Sequence, residues 1–444
     1  MSPSVLPEGE PVPPDGSLPE HALYGAAHQP FGFYVHVPYC AARCGYCDFN
    51  TYTAEELGPG VRRETYAATV IGEIRLARRV LTGDHSGVVA SAGTRVGDPR
   101  VAAAPADTRA AGRGLVPPGS AAPGVQTVFF GGGTPTLLPV ADLARILAVI
   151  DTEFGLAPDA EVTTEANPES VDQRYLEGLR AAGFTRISLG MQSAVPHVLH
   201  ILDRQHTPGR ARQCVTWAKR AGFDHVNLDL IYGAPGETDD DWRASLDAAI
   251  EAGPDHVSAY SLIIEEGTRL AAWIRRGELP MPEDDTLSDR YLIADQVLAA
   301  AGFTWYEVSN WARSVAGRCR HNLLYWTGGN WWGAGPGAHS HVAGVRWWNV
   351  KHPAAYAARL AAGRSPGHAR EVLSGADRLV EQVMLGVRLS DGYPLDELPA
   401  GGREAAKHAV ADGLAERAAF DRERLVLTRR GRLLADAVVR SVTE

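Results

Sequence analysis

The chain is patterned by a repeated exchange between two hydrophobic periods. Short apolar, β-branched runs that read as buried strands alternate with segments whose apolar positions recur at helical spacing. The first strand is Phe31–Val37. Its alternation puts Phe33, Val35 and Val37 on one face and Tyr34 and His36 on the other. A helix is expected over 62–81. From residue 125 onward, strands are expected at 125–130, 161–166, 185–190, 225–231 and 256–261, with helices at 141–154, 171–182, 209–221 and 239–252. Six strand-helix units predict a parallel sheet with right-handed crossovers. Six are too few for the usual eight-stranded closure, so the expected fold is α/β, a partial (βα)6 barrel. If the first strand lines that barrel, Tyr34 and His36 face its lumen.

Around this repeat the pattern weakens. Residues 1–29 are rich in Pro, Glu, Gly and Ser without periodicity and are expected to form a disordered leader. Residues 83–124 are dominated by Gly, Ala, Pro, Ser, Thr and Arg, which reads as a solvated insertion that carries no chemistry. Beyond the barrel come a helix at 283–301, a strand at 303–308 and a Trp- and Gly-dense stretch at 310–349. Helical patterns at 353–362 and 376–389 follow. A ribbon at 424–428 and a helix at 429–439 close the chain and suggest a small α+β, winged-helix-like domain. The expected division is a leader (1–29), a barrel (30–265), a barrel extension (266–365) and a C-terminal domain (366–444).

Composition narrows the class. A chain of 444 residues with 45% hydrophobic residues can bury a substantial core. The formal charge of −10 argues against a nucleic-acid partner, and no apolar run is long enough to span a bilayer. The first thirty residues lack a basic segment followed by an apolar one, so a cytoplasmic protein with reduced thiols is expected.

Three of the five cysteines, Cys40, Cys44 and Cys47, fall within eight positions directly after the first strand. Disulfides are a poor reading, because five is odd and so short a loop would be strained. Structural zinc usually takes two separated pairs of ligands, and no second pair is present. A C-x3-C-x2-C loop suits three irons of a cubane cluster, leaving the fourth iron open to a small chelating molecule.

Parallel barrels bind ligands at the carboxyl ends of their strands, which directs attention to four places. The second strand ends in Gly131-Gly-Gly-Thr-Pro-Thr136, whose glycines let a ligand approach the backbone, although such a run taken alone is more often a turn. The third ends at Glu165 and the fourth at Gln192, while Asp229 lies in the fifth. These carboxylates need cations or hydroxyls as partners, and a strand-end arginine such as Arg204 would serve as well as a ligand.

The cysteine loop preceded by His-Val-Pro-Tyr, together with Gly-Gly-Gly-Thr-Pro-Thr, Gly-Met-Gln-Ser, Asp-Arg-Gln-His and Asp-Leu-Ile-Tyr-Gly-Ala-Pro-Gly-Glu-Thr, resembles the oxygen-independent coproporphyrinogen III oxidase-like group of radical S-adenosylmethionine (SAM) proteins. The resemblance covers roughly residues 31–440 apart from the insertion. It implies a [4Fe–4S] cluster on Cys40, Cys44 and Cys47. It also implies SAM contacts at Tyr34, Phe49, Gly132, Gly133, Thr134, Glu165, Gln192, Arg204 and Asp229. In that group SAM chelates the open iron, and the reduced cluster cleaves it to a 5′-deoxyadenosyl radical.

Two functions compete within the group. The oxidase decarboxylates two propionates of coproporphyrinogen III, and its signature has a fourth cysteine where this chain has Phe49. His321-Asn-Leu-Leu-Tyr-Trp326 instead resembles the H-N-x-x-Y-W motif of the related heme chaperones, the HemW type. That resemblance implies heme as a ligand and apo-heme proteins of the respiratory chain as partners, met at the membrane surface. His321 is then the leading heme-ligand candidate, with Cys319 as an alternative. A lone His in a Trp-rich stretch is otherwise more often a packed structural residue. Cys214 reads as core filler.

Overall fold

The structure, a computed structural model, describes residues 8–57, 62–83, 122–204 and 206–444. The chain opens with strand β1 (Glu10–Pro11), helix α1 (Glu20–His28) and strand β2 (Phe31–Val37), followed by α2 (Arg63–Thr82). The alternation continues with β3 (Val125–Gly132), α3 (Val140–Phe154), β4 (Leu156–Ala166), α4 (Gln173–Ala181), β5 (Arg186–Gln192), α5 (Pro196–Ile201) and α6 (Arg210–Ala221). It ends with β6 (His225–Tyr232), α7 (Asp239–Ala252), β7 (His256–Ser261), α8 (Arg269–Arg275) and α9 (Asp284–Ala300). Strands β2 to β7 pair in parallel and in sequence order, as the expected (βα)6 barrel requires.

Of the remainder of the sheet, the strand expected at 303–308 is present as β8 (Thr304–Glu307), and the other strands were not legible beforehand. After β8 and β9 (Asn310–Ala312), helix α10 (Arg320–Trp326) leads into β10 (Asn330–Ala334), β11 (His339–Val342), β12 (Val345–Asn349), helix α11 (Pro353–Ala361) and β13 (Gly367–Val372). Strand β10 pairs in parallel with β2, and β11, β12 and β13 continue outward as an antiparallel meander. The Trp-rich stretch therefore extends the barrel sheet on the side of its first strand. At the far edge β1 pairs with β13. Residues 8–29 are thus built into the fold, with Ala22 and Ala26 in the main core, and the expectation of a disordered leader is corrected over that range. Residues 1–7, and 84–121 of the expected insertion, lie outside the described residues.

A second core gathers Val383, Val387, Leu425, Val438 and their neighbours. It is built from α12 (Gly375–Gly386), α13 (Gly402–Ala411), α14 (Arg417–Phe420), α15 (Arg429–Leu433) and α16 (Ala435–Thr443), with a ribbon of β14 (Tyr393–Pro394) and β15 (Arg424–Leu425). This is the small α+β unit, and it begins after β13 rather than at 366, because β13 belongs to the large sheet. It is tied to the barrel by Ser390 N donating to Tyr306 O at 2.9 Å and by Arg432 stacking 3.6 Å over Trp305.

Inside the barrel, alternation sends Phe33, Val35, Val128 and Phe130 into the layer under the helices. The opposite face, toward the lumen, is polar at its lower end. Arg186 there is 0% exposed, and its guanidinium donates to Glu161 at 2.9 Å, to Asn227 at 2.7 Å, and to the carbonyls of Gly317 and Arg318 at 3.0 and 2.9 Å. The two carbonyls belong to the segment that leads into α10, so a strand residue of the barrel pins α10 beneath the lumen. Gly32 makes room for it, since a Cβ there would stand 2.7 Å from Leu324 Cδ2.

Arg186→Ala leaves Glu161 charged and buried without its cation. The variant is expected to lose about 3–5 kcal/mol of stability, read as a lower urea midpoint, whereas replacing Arg186 and Glu161 together by leucines costs less.

Candidate cofactor site at the carboxyl ends of the strands

The cysteine loop is closed at its base by the chain on either side of it. Cys40 N donates to Tyr52 O at 3.0 Å, and Tyr52 N to Pro38 O at 2.7 Å, so the loop returns to where it began. Asn50 holds the returning arm. Its Nδ2 donates to the carbonyls of Pro336 and Lys351 at 3.0 and 2.9 Å, and its own carbonyl lies 2.9 Å from His36 Nε2. The loop's outer part is held by Gly45, whose N donates to Leu202 O at 3.1 Å and whose O accepts from Leu270 N at 2.8 Å. Cys40, Cys44 and Cys47 are free thiols, each half-buried.

Burial pushes the Cys40 thiol up to about 11, with the neighbouring Cys47 acting in the same direction, and burial also raises Cys47. Thiolates at this position need a compensating cation, which a bound metal supplies. Among the described residues no three His, Cys, Asp or Glu side chains converge on one metal ion. In a cubane cluster each cysteine ligates a different iron.

The glycine run lies directly against this loop. Gly133 N donates to Val37 O at 2.8 Å, and Thr134 N to Tyr39 O at 2.7 Å. A Cβ on Gly133 would stand 2.4 Å from Tyr39 O and 3.0 Å from Cys40 Sγ, so only glycine fits. One on Gly131 would stand 3.1 Å from both Glu165 Oε2 and the Tyr34 ring, which places those two side chains on either side of the strand end. Gly132 N donates to Glu165 Oε2 at 3.1 Å.

The lumen wall beyond is acidic. Burial and then the neighbouring Asp229 charge push Glu165 up to about 8, while burial raises Asp229, which accepts from Ser188 Oγ at 2.7 Å. Among the described residues no arginine pairs with either carboxylate. Arg204 instead donates to Gly190 O at 3.0 Å and to Cys44 Sγ at 3.4 Å, and its buried Nε has no partner. Gln192 ends β5 at φ 66°, a conformation that costs a non-glycine residue about 1 kcal/mol or more. Phe49 stands 41% exposed at the end of the cysteine loop.

The Radical SAM superfamily model matches residues 119–249. The chain is 52% identical to the heme chaperone HemW of Mycobacterium tuberculosis, over 93% of this chain and 95% of that protein. This chain belongs to the HemW heme chaperone family. HemW of Synechocystis is 33% identical over 84% of this chain and 82% of its own length. The solved structure of the Escherichia coli radical SAM enzyme coproporphyrinogen III oxidase (HemN) superposes with a TM-score of 0.74. It covers 95% of this chain and 92% of that one at 20% identity, which is a likeness of fold.

Radical SAM proteins use a [4Fe–4S] cluster and SAM. In this HemW-family chain, clustered free thiols, a glycine cradle that a Cβ would fill and a buried guanidinium nitrogen without a partner fit such groups. The structure brings together Tyr34, Gly132, Glu165, Gln192 and Asp229 on successive strands, with Gly133, Thr134 and Arg204 in the segments that follow them, around one lumen.

His321 lies elsewhere, at the lumen's lower end on α10. It is 1% exposed, its Nδ1 is 2.8 Å from Thr127 Oγ1, and its Nε2 is 2.8 Å from the Tyr325 hydroxyl. Neither nitrogen is free for heme iron in this arrangement, which departs from the ligand role expected of it. Cys319 is 1% exposed and bonded to Glu161 at 3.6 Å, and Cys214 is core, as expected. Sequence reasoning passed over Phe129, Glu161, Arg186 and Glu307, although the period-2 alternation of each strand marks its lumen-facing positions.

Two outcomes follow from this geometry. Gly133→Ala is expected to lower the iron and sulfide bound after anaerobic reconstitution, because the added methyl must displace Tyr39 or Cys40. Glu165 has its folded pKa raised from 4.5 to about 8, so its contribution to stability is full below pH 4.5 and is lost as pH rises toward 8. Thermal melts of cofactor-free protein across that window should show the decline, and Glu165→Gln should flatten it.

Proposed function

We propose that this protein binds heme and delivers it to apo-heme proteins, with a [4Fe–4S] cluster and SAM held in the barrel. The observation that carries this reading is the 52% identity to a heme chaperone along 95% of that protein's length. Cys40, Cys44 and Cys47 each hold one iron, leaving the fourth for SAM. Tyr34, Phe49, Gly132, Gly133, Thr134, Glu165, Gln192, Arg204 and Asp229 hold SAM. When bound and reduced, the cluster supplies an electron to SAM.

The chain's own residues account for how the ligand is received. The bare backbone at Gly132 and Gly133 lets it approach closely, and the acceptor-rich wall of Glu165 and Asp229 suits its ribose hydroxyls and cationic groups. Arg204, already against Cys44, offers its unpaired Nε to an anionic group. Phe49, in place of the oxidase's fourth cysteine, supports chaperone over oxidase. The likeness to the oxidase structure, at 20% identity, carries the fold only. The recipients are respiratory apo-heme proteins, met by a cytoplasmic chaperone at the membrane surface. No helix among the described residues is long and apolar enough to cross a membrane.

Anaerobically reconstituted protein is expected to show a heme Soret band on titration and to pass that heme to an apo-cytochrome. Conversion of coproporphyrinogen III to protoporphyrinogen IX by the same preparation would replace this reading with the oxidase. Cys47→Ala is expected to keep the fold, measured by circular dichroism, while losing the cluster's visible absorbance.

A further inference from the structure

Helix α10 presents the four named residues of the H-N-x-x-Y-W motif to the barrel's interior. His321 and Tyr325, four positions apart, share one face, as do Asn322 and Trp326. Each has a defined partner. His321 bridges Thr127 and Tyr325, and Asn322 and Trp326 both hydrogen-bond the Glu307 carboxylate. A neutral imidazole has one donor and one acceptor nitrogen, so Thr127 and Tyr325 use all that His321 has. Burial lowers its pKa to about 3 and keeps it neutral.

The motif is connected upward as well. The His321 ring stacks on Phe129 with centroids 5.2 Å apart, Phe129 stacks on Tyr34 at 6.3 Å, and the Tyr34 hydroxyl lies 3.0 Å from His36 Nδ1. His36 in turn holds the returning arm of the cysteine loop through the Asn50 carbonyl. Tyr325 is half-buried, packed edge-on against His321 at 4.7 Å and Trp331 at 4.5 Å. Through His321 and Phe129 its ring is linked to that of Tyr34 on the lumen wall. The wall it joins is made of acceptors: Glu165, Asp229 and Glu307. Their carboxyl oxygens suit a ligand bearing hydroxyls and positive charge.

We propose that Tyr325 contacts SAM in the lumen and that His321 is a positioning residue aiming the Tyr325 hydroxyl, rather than the ligand of heme iron. The proposal rests on the reading that the lumen holds SAM. The Tyr325 ring sits between His321 and Trp331, so its hydroxyl direction is set by the His321 bond. Removing the imidazole therefore frees the phenol without touching the ligand.

The test uses full-length, anaerobically reconstituted protein with SAM affinity measured by equilibrium dialysis and heme binding by Soret titration. Tyr325→Phe and His321→Ala are each expected to weaken SAM binding about tenfold, as loss of one aligned hydrogen bond does. The double variant should be no weaker than either single one, because His321 acts only through Tyr325. His321→Gln, which can place an amide near the phenol, should recover part of the affinity. Heme titrations of all variants should match wild type within about twofold. Loss of the Soret signature in His321→Ala, or unchanged SAM affinity in Tyr325→Phe, overturns the proposal. Tyr325→Phe keeps the ring and its packing, so it provides a test even where His321→Ala fails to fold. Wild-type protein that binds no SAM at all sinks the underlying reading, a different result from either variant outcome.

Discussion

A guanidinium withdrawn from water can be held only where its N–H groups find acceptors, and Arg186 meets that condition inside the barrel. Two of its acceptors, Glu161 and Asn227, come from the strands on either side of its own. The other two are carbonyls of the segment that leads into α10. The lower lumen is therefore filled by a polar layer that accepts a helix, in place of the apolar side chains that usually fill a parallel barrel. The position of α10 depends on this layer. The second oxygen of Glu161 completes it by accepting from the backbone N of His321 at 3.1 Å.

The upper lumen depends on different physics. Strand β2 ends where the cysteine loop begins, and that loop is closed by backbone hydrogen bonds and by Asn50 reaching Pro336, in the turn between β10 and β11, and Lys351, just after β12. The meander is held in turn by Glu73. Its buried carboxylate accepts from Gly335 N at 2.8 Å, from Asn349 at 2.8 Å, from Trp332 at 3.3 Å and from the Tyr356 hydroxyl. A carboxylate held by four donors, with no cation paired to it among the described residues, fixes geometry more than it adds net stability. Here it orders the turn against which the loop's returning arm is stapled.

The two ends of the lumen communicate through side chains rather than backbone. Phe129 and Tyr34 link the ring of His321 to His36, and His36 reaches the cysteine loop. The His321-Asn-Leu-Leu-Tyr-Trp326 motif is thus joined to the wall that carries Tyr34. Both nitrogens of the His321 imidazole are engaged by its neighbours, Thr127 and Tyr325.

Much of this was legible in the residues alone. The alternation in Phe31–Val37 assigned Tyr34 and His36 to the lumen, the cysteine spacing singled out the loop after that strand, and the apolar runs that end in Glu165, Gln192 or Gly132 marked strand ends that meet at the lumen. Periodicity carries that information because it reports which face of an element is buried. It does not report which distant element covers the face. The stretch at 310–349 is buried on several sides and shows no clean period, so its place beside β2 was decided by tertiary pairing. The same holds for Arg204, which reaches a cysteine 160 positions away, and for α10, whose site under the lumen depends on a guanidinium from another strand. Residues 8–29 lack a core-forming pattern of their own and take their order from the edge strand and helices that they meet.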